Sequence, residues 1–138
     1  MATRTLKNAF LSVAGTDLSS HINSVGVPLT KDTPEDTAMG DNSRSYRADG
    51  LRDGTLSVTW NSDDAAGAVS ATLWTHYTSG TVAAMIFRPD AGVIGVTNPE
   101  YTFNAILNSD APIDGSVGDL QQTPTSFQVS GDVTRATA

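Results

Sequence analysis

The clearest pattern in the chain is an alternation from Thr55 to Asn61. Leu56, Val58 and Trp60 fall on one side, and Thr55, Ser57, Thr59 and Asn61 on the other. A period of two with one apolar side predicts a half-buried β-strand. Glu100 to Leu107 alternates in the same way, with Tyr101, Phe103, Ala105 and Leu107 together. So does Thr125 to Arg135, with Phe127, Val129 and Val133 inward and Ser126, Gln128, Ser130 and Asp132 outward. Ala9 to Ala14 reads as a strand centred on Leu11 and Val13. Thr81 to Arg88 is apolar on both sides, the pattern of a strand covered twice. Ser20 to Leu29 is a strand whose phase slips between Ile22 and Val25, which predicts a β-bulge near Asn23-Ser24. Pro28 has no N–H for a ladder and suits the end or edge of that strand.

One segment has a helical period instead. Ala66, Val69, Leu73 and Tyr77 recur at steps of three and four, and Trp74 widens the stripe. Ser62-Asp63-Asp64 supplies N-cap chemistry, so a helix is expected from Ala65 to Tyr77, closed by Ser79-Gly80. Six or seven short strands, one helix and Gly, Asp and Pro turns predict a mainly β chain. The expected fold is a small β-sandwich or barrel with one flanking α-helix, forming a single domain over residues 1–138.

Thr30 to Gly54 stands outside both periods. Compact domains join their elements with loops of about 4–6 residues, and much longer ones are functional or disordered. This loop holds four of the eight basic residues, Lys31, Arg44, Arg47 and Arg52, and six of the fifteen acids. Pro34, Gly40 and Gly50 punctuate it, and Ser43 to Ala48 has the makings of an extended piece around Tyr46. It reads as an assembly arm, over about residues 30–53, that orders against neighbouring copies of the chain.

Composition removes function classes more than it adds them. The net charge is −7 with a pI near 4.4. From Thr55 onward only Arg88 and Arg135 are basic, against eight acids, a surface that repels nucleic acid. With no cysteine there is no disulfide, thiol nucleophile or Cys-based zinc site. No stretch approaches the roughly 18 apolar residues of a membrane span, and the N-terminus lacks a signal-peptide core, so a soluble, non-exported protein is expected. His21 and His76 have no metal-ligand spacing. The serines lack a nucleophile elbow, and Gly115-Ser116-Val117-Gly118 is better read as turn chemistry than as a phosphate loop. Asp110, Asp114 and Asp119 lack the EF-hand pattern. Most acids sit in turns, which disfavours a paired-carboxylate hydrolase. Trp60 and Trp74 are expected to fill core. No catalytic residue, metal or cofactor is expected. The alternative function is a monomeric carbohydrate-binding or adhesion module on a β-sandwich, using exposed aromatic rings.

Four segments carry a family resemblance: FLSVAGTDLSSHINSVGVPL, then EDTAMGDNSRSYRADGLRDGTLSVTW, then AAGAVSATLWTHY, and finally DGSVGDLQQTPTSFQVSGDVTRA. In order and spacing they resemble the major tail tube proteins of long-tailed bacteriophages, particularly those infecting actinobacteria. The resemblance implies a tail tube fold whose copies form hexameric rings, stacked into a tube through which DNA leaves the capsid. It implies tail terminator, tape measure and distal tail proteins as partners, and a place in the virion tail after synthesis in the host cytoplasm. It also makes the long loop an inter-subunit element. Asp36, Thr37, Gly40 and Asp41 match its first motif, with Met39 where an aromatic is usual. Gly50, Leu51, Asp53 and Gly54 match its second. Arg44, Tyr46 and Arg47 are expected to meet a neighbour, the two arginines through its acids. Acids are expected on the lumen. Some relatives carry a C-terminal decorating domain, and none is expected here.

Overall fold

The computed structural model describes residues 3–138. In chain order its elements are β1 (Phe10–Val13), β2 (Thr16–Asp17), β3 (Ile22–Gly26), β4 (Leu29–Lys31), β5 (Arg52–Asn61), α1 (Val69–Ser79), β6 (Ala83–Arg88), β7 (Glu100–Asp110) and β8 (Gln122–Ala136). They form one antiparallel sheet in the order β2-β1-β6-β7-β8-β5-β3, with β4 also on β5. The sheet curls into a half-barrel. Val25 of β3 and Phe87 of β6 line one groove although three strands separate them along the path.

The alternating runs put their apolar sides inward. Leu56, Val58 and Trp60 of β5 are buried, as are Phe103, Ala105 and Leu107 of β7, and Phe127 and Val129 of β8. The Trp60 ring is the largest buried side chain, and its Nε1–H donates to Thr125 Oγ1 at 2.9 Å. That hydroxyl donates onward to the Val58 carbonyl at 3.1 Å, so the ring is buried without stranding its polar edge. Val69 and Leu73 of α1 close the same core, and α1 packs on β7.

The bulge falls where the phase slip placed it, with the register of β3 against β5 shifting between Ile22 and Ser24. Other boundaries move. Ser19–His21 is a 3-10 turn rather than strand, and the run then breaks at Val27-Pro28 into β3 and β4. Proline cannot donate to β5, so the ladder restarts beyond it. The helix begins at Val69, not Ala65. The Asp63 carboxylate accepts from the Ala65 N–H at 3.0 Å, but it caps a separate turn. Gly67 at φ +76 and extended Ala68 interrupt the spiral before α1 starts. At the other end Gly80, left-handed at φ 66, closes the helix as expected.

Two burial expectations fail. Trp74 is 54% exposed and Tyr77 47%, because α1 meets the sheet only through its Val69–Leu73 stripe. β6 is covered on one side only: Ala83 and Met85 are buried, whereas Val82 and Ala84 are exposed. Among the described residues there is one α-helix, and it lies on the inner side. No described helix is long and apolar enough to cross a membrane.

Candidate assembly site

The long loop is an ordered ribbon that rises from the β4–β5 pair. Asp32 N–H donates to Leu51 O at 2.8 Å, Arg47 N–H to Pro34 O at 2.8 Å, and Asp36 N–H to Ser45 O at 2.9 Å. Glu35 and Tyr46 form a bridge near its middle. All its residues from Asp32 to Asp49 are exposed, so hydrogen bonds rather than burial hold it.

The residues singled out in sequence divide into two sets. One set builds the ribbon. The Thr37 hydroxyl accepts from Ser45 N–H at 2.9 Å, and the Asp36 carboxylate accepts from the Ser45 hydroxyl. Gly40 at φ +96 turns the tip. There Asp41 N–H donates to Ala38 O at 3.1 Å, and the Asp41 carboxylate accepts from Ala38 N–H at 2.8 Å. A Cβ on Gly50 would lie 1.9 Å from the Asp32 carbonyl oxygen, and one on Gly54 2.7 Å from the Leu29 side chain. Only glycine allows the first approach, against backbone; at the second the exposed Leu29 side chain would have to shift. The Asp53 carboxylate accepts from Gly54 N–H and from Gln128 Nε2, at 2.8 and 2.7 Å. Arg47 also belongs here. Its guanidinium grips Asp49 of its own chain at 2.7 and 3.0 Å, and that contact holds the exposed Asp49 carboxyl below its ordinary range. The second set points outward. Met39 at the tip is fully exposed, Leu51 and Tyr46 are largely so, and Arg44 has no ion-pair partner among the described residues.

Charge is segregated along the strands. The antiparallel register brings the end of β6, the starts of β1, β5 and β7, and the end of β8 to one end of the half-barrel, where the arm leaves. All eight Lys and Arg lie in the arm or at this end. Three are paired within the chain: Arg47–Asp49, Arg52–Asp132 at 3.2 Å and Arg88–Glu100 at 2.8 Å. The opposite end, made by the β5–α1 and β7–β8 connections, carries Asp63, Asp64, Asp110, Asp114 and Asp119, with no Lys or Arg. Burial pushes the Asp110 carboxyl up, and its Oδ1 has no hydrogen-bond partner.

The outer side of the sheet differs from both ends. Across β5, β8, β7 and β6 it presents Ser57, Thr59, Ser126, Gln128, Asn104 and Ala84, and its middle carries no charged side chain. At its border Arg88 and Glu100 neutralise each other. No group of three or more His, Cys, Asp or Glu able to hold a metal occurs among the described residues. His21 lies 3.7 Å from Asp63.

By sequence, neither a known family nor a curated protein matches the chain. Solved structures do match. A chain of the virion of a native gene transfer agent particle superimposes with a TM-score of 0.79 at 13% identity, over 97% of this chain and 99% of that one. The tail tube of SPP1 gives 0.73 at 13% identity, over 95% and 76%. The chain has the tail tube fold. Hcp1 from Flavobacterium johnsoniae shares it more distantly, with a TM-score of 0.58 at 16% identity over 96% and 97% of the two chains. Within the tail tube fold of this chain, sequence reasoning found the arm but missed the segregation of charge. It read residues 115–118 as a turn, which they are, but missed that Val117 stands exposed at its tip. The available signal was an apolar residue before Gly-Asp at both Met39 and Val117.

Proposed function

We propose that this chain is the repeating, non-enzymatic subunit of a phage-type tail tube. Copies form hexameric rings, the rings stack, and DNA passes through the bore during ejection. The observation that carries this reading is likeness over nearly the whole of both chains to a subunit of a gene transfer agent virion. A related match is to the tail of an empty particle of that kind with C6 symmetry. The ordered, outward-facing arm supports it as the inter-subunit element, with Met39, Leu51, Tyr46 and Arg44 as the side chains left free for a neighbour. Arg47 is spent on Asp49, so the arginine contact with a neighbour's acids falls to Arg44. The uncharged outer side of the sheet suits the bore. It offers phosphates no cation, and the acids expected on a lumen lie at the sheet's end instead. Tail terminator, tape measure and distal tail proteins are the implied partners, the virion tail is the location, and synthesis is in the host cytoplasm. The actinobacterial assignment rests on the sequence resemblance.

Electron microscopy of concentrated protein tests this, with six-fold rings and tubes as the expected result. A protein that stays monomeric across salt and concentration, and also fails to join tubes when given a tail initiator, would end the proposal. One observation favours the carbohydrate-binding alternative. Exposed Trp74 and Tyr77 lie 5.8 Å apart between ring centroids, with planes 31° apart, which makes a small aromatic platform. Saturable glycan binding by a monomer, with quenching of Trp74 fluorescence, would favour that reading.

A further inference from the structure

The inner side of the sheet is not covered to its end. Past Met85 and Phe103, the same faces of β6 and β7 continue as Phe87 and Tyr101, beyond the reach of α1. With Val25, Val27, Leu6 and Val133 they line an apolar groove of about 420 Å³ at the arm end. Its rim is basic. Arg135 Nε donates to the hydroxyl of Tyr101 at 3.3 Å, and Lys7 follows Leu6. Neither cation has an ion-pair partner among the described residues. Of the nearby acids, Glu100 and Asp132 are held by Arg88 and Arg52, while Asp90, beside the groove-lining Pro89, has no ion-pair partner among the described residues.

The opposite end carries a plug of matching chemistry. Asp114 and Gln122 exchange backbone hydrogen bonds at 3.1 and 3.0 Å and close the β7–β8 connection into a short stalk. At its tip Asp119 N–H donates to Ser116 O at 2.9 Å, and the Asp119 carboxylate accepts from Ser116 N–H at 3.4 Å. Gly118 at φ +95 completes a turn that holds Val117 fully in solvent. Asp114 and Asp119 flank it, and this end has no Lys or Arg.

We propose that the groove receives the Val117 turn of a second copy of this chain. Val117 enters among Phe87, Tyr101 and Val133, while Asp114 and Asp119 face Lys7 and Arg135. The two surfaces lie at opposite ends of one subunit, so the contact is head-to-tail and repeats without closing on itself. That is a stacking contact along the strand direction. It rests on the tail tube reading and supplies an axial joint distinct from the arm. The charge pattern bears on polarity as well. Two acidic ends, with no Lys or Arg between them, repel each other, whereas Lys7 and Arg135 at the groove attract such an end locally.

The absence of cysteine gives a clean test. The Val117→Cys and Val133→Cys variants are mixed, assembled and oxidised. A disulfide-linked dimer should appear in tubes of the mixture and in neither variant alone. Val27→Cys serves as a second groove position should Val133→Cys fail to fold. Val117→Asp should leave thermal unfolding unchanged and raise the concentration needed for tubes at least roughly tenfold, since a buried aliphatic contact becomes a buried charge. Tubes that form without the mixed cross-link, or Val117→Asp tubes that form as readily as wild type, would overturn the stacking contact and leave the tail tube function standing. Cross-linking of Val117→Cys to itself would overturn it too. Wild-type protein that makes no tubes removes the functional reading and this contact together.

Discussion

The body and the arm are held by the same backbone hydrogen bonds, but they differ in what stands behind those bonds. In the body the β5–β8 ladder is backed by Trp60, Phe127 and Leu56, all fully buried. In the arm the Pro34–Arg47 and Asp36–Ser45 bonds have no buried side chain behind them. A hydrogen bond exposed to water contributes about 1 kcal/mol net or less, whereas each large buried side chain contributes about 1.5–3 kcal/mol. The body is therefore stable alone. The arm is ordered by its turns, with its apolar side chains unspent, and it is available to a partner. In the tail tube subunit proposed above, this division keeps the arm's apolar side chains for a neighbour.

The comparison can be broken at several points. The largest effect is expected in the core. Trp60→Ala should cost about 3–5 kcal/mol in thermal or denaturant unfolding, through lost burial and the cavity left in the core. A cost under 1 kcal/mol would show that the core does not carry the body. Replacing residues 33–49 by a direct Asp32–Gly50 join should abolish tubes and keep a cooperative melt near the wild-type temperature. Loss of that melt would mean the arm is part of the folding unit. Gly50→Ala should act between these extremes. Its Cβ collides with the Asp32 carbonyl, so the arm base must open, at a cost of about 1–3 kcal/mol confined to the ribbon. Limited proteolysis should cut the arm faster while the melting temperature barely moves, and an unchanged cleavage rate would contradict the account.

The smallest effect concerns Asp110, whose carboxyl is pushed up by burial. The unfolded chain ionises this group freely and the folded chain does so against desolvation. Its destabilising contribution is therefore full above the raised folded value and absent below the ordinary carboxylate range. Asp110→Asn should raise the melting temperature slightly at neutral pH, and the two proteins should converge in acid. A variant less stable than wild type at pH 7 would show that the charge is wanted.

Most of the body was legible in sequence because alternation and burial coincide there. Leu56, Val58, Trp60, Phe103, Leu107, Phe127 and Val129 all went where a period of two sent them. The bulge at Asn23 was legible for the same reason, as a slip in phase. Trp74 was misplaced because periodicity names a stripe and not its width. What lies opposite Trp74 is set by how far the sheet curls, a long-range property. The start of α1 was misplaced because Asp63 caps a turn as readily as a helix, and Gly67 then decided between them. The arm's motif residues were visible as a set, but the hydrogen bonds they make within the chain were not. Asp36, Thr37 and Asp41 read as contacts for a neighbour, yet within the chain they hold up the turn that presents Met39. Whether a carboxylate bonds its own backbone or another molecule depends on turn geometry that spacing alone does not encode. Likewise, the gathering of every cation at one end required the strand register, which places Asp114 and Arg135 at opposite ends although only 20 residues or so part them.

The pairing of β5 with β8 also sets a clock. The hydrogen bond from Thr125 to Val58 joins residues 67 apart in sequence, whereas the one between Ser45 and Asp36 spans nine. Local hairpins close in about 1–10 μs, while β-domains dominated by distant pairings fold in roughly milliseconds to seconds. In a newly made chain the arm's local bonds have time to close many times before the half-barrel forms. From unfolded protein at high concentration, the appearance of assembly-competent subunits should follow first-order kinetics, timed by closure of the β5–β8 ladder rather than by the meeting of two molecules.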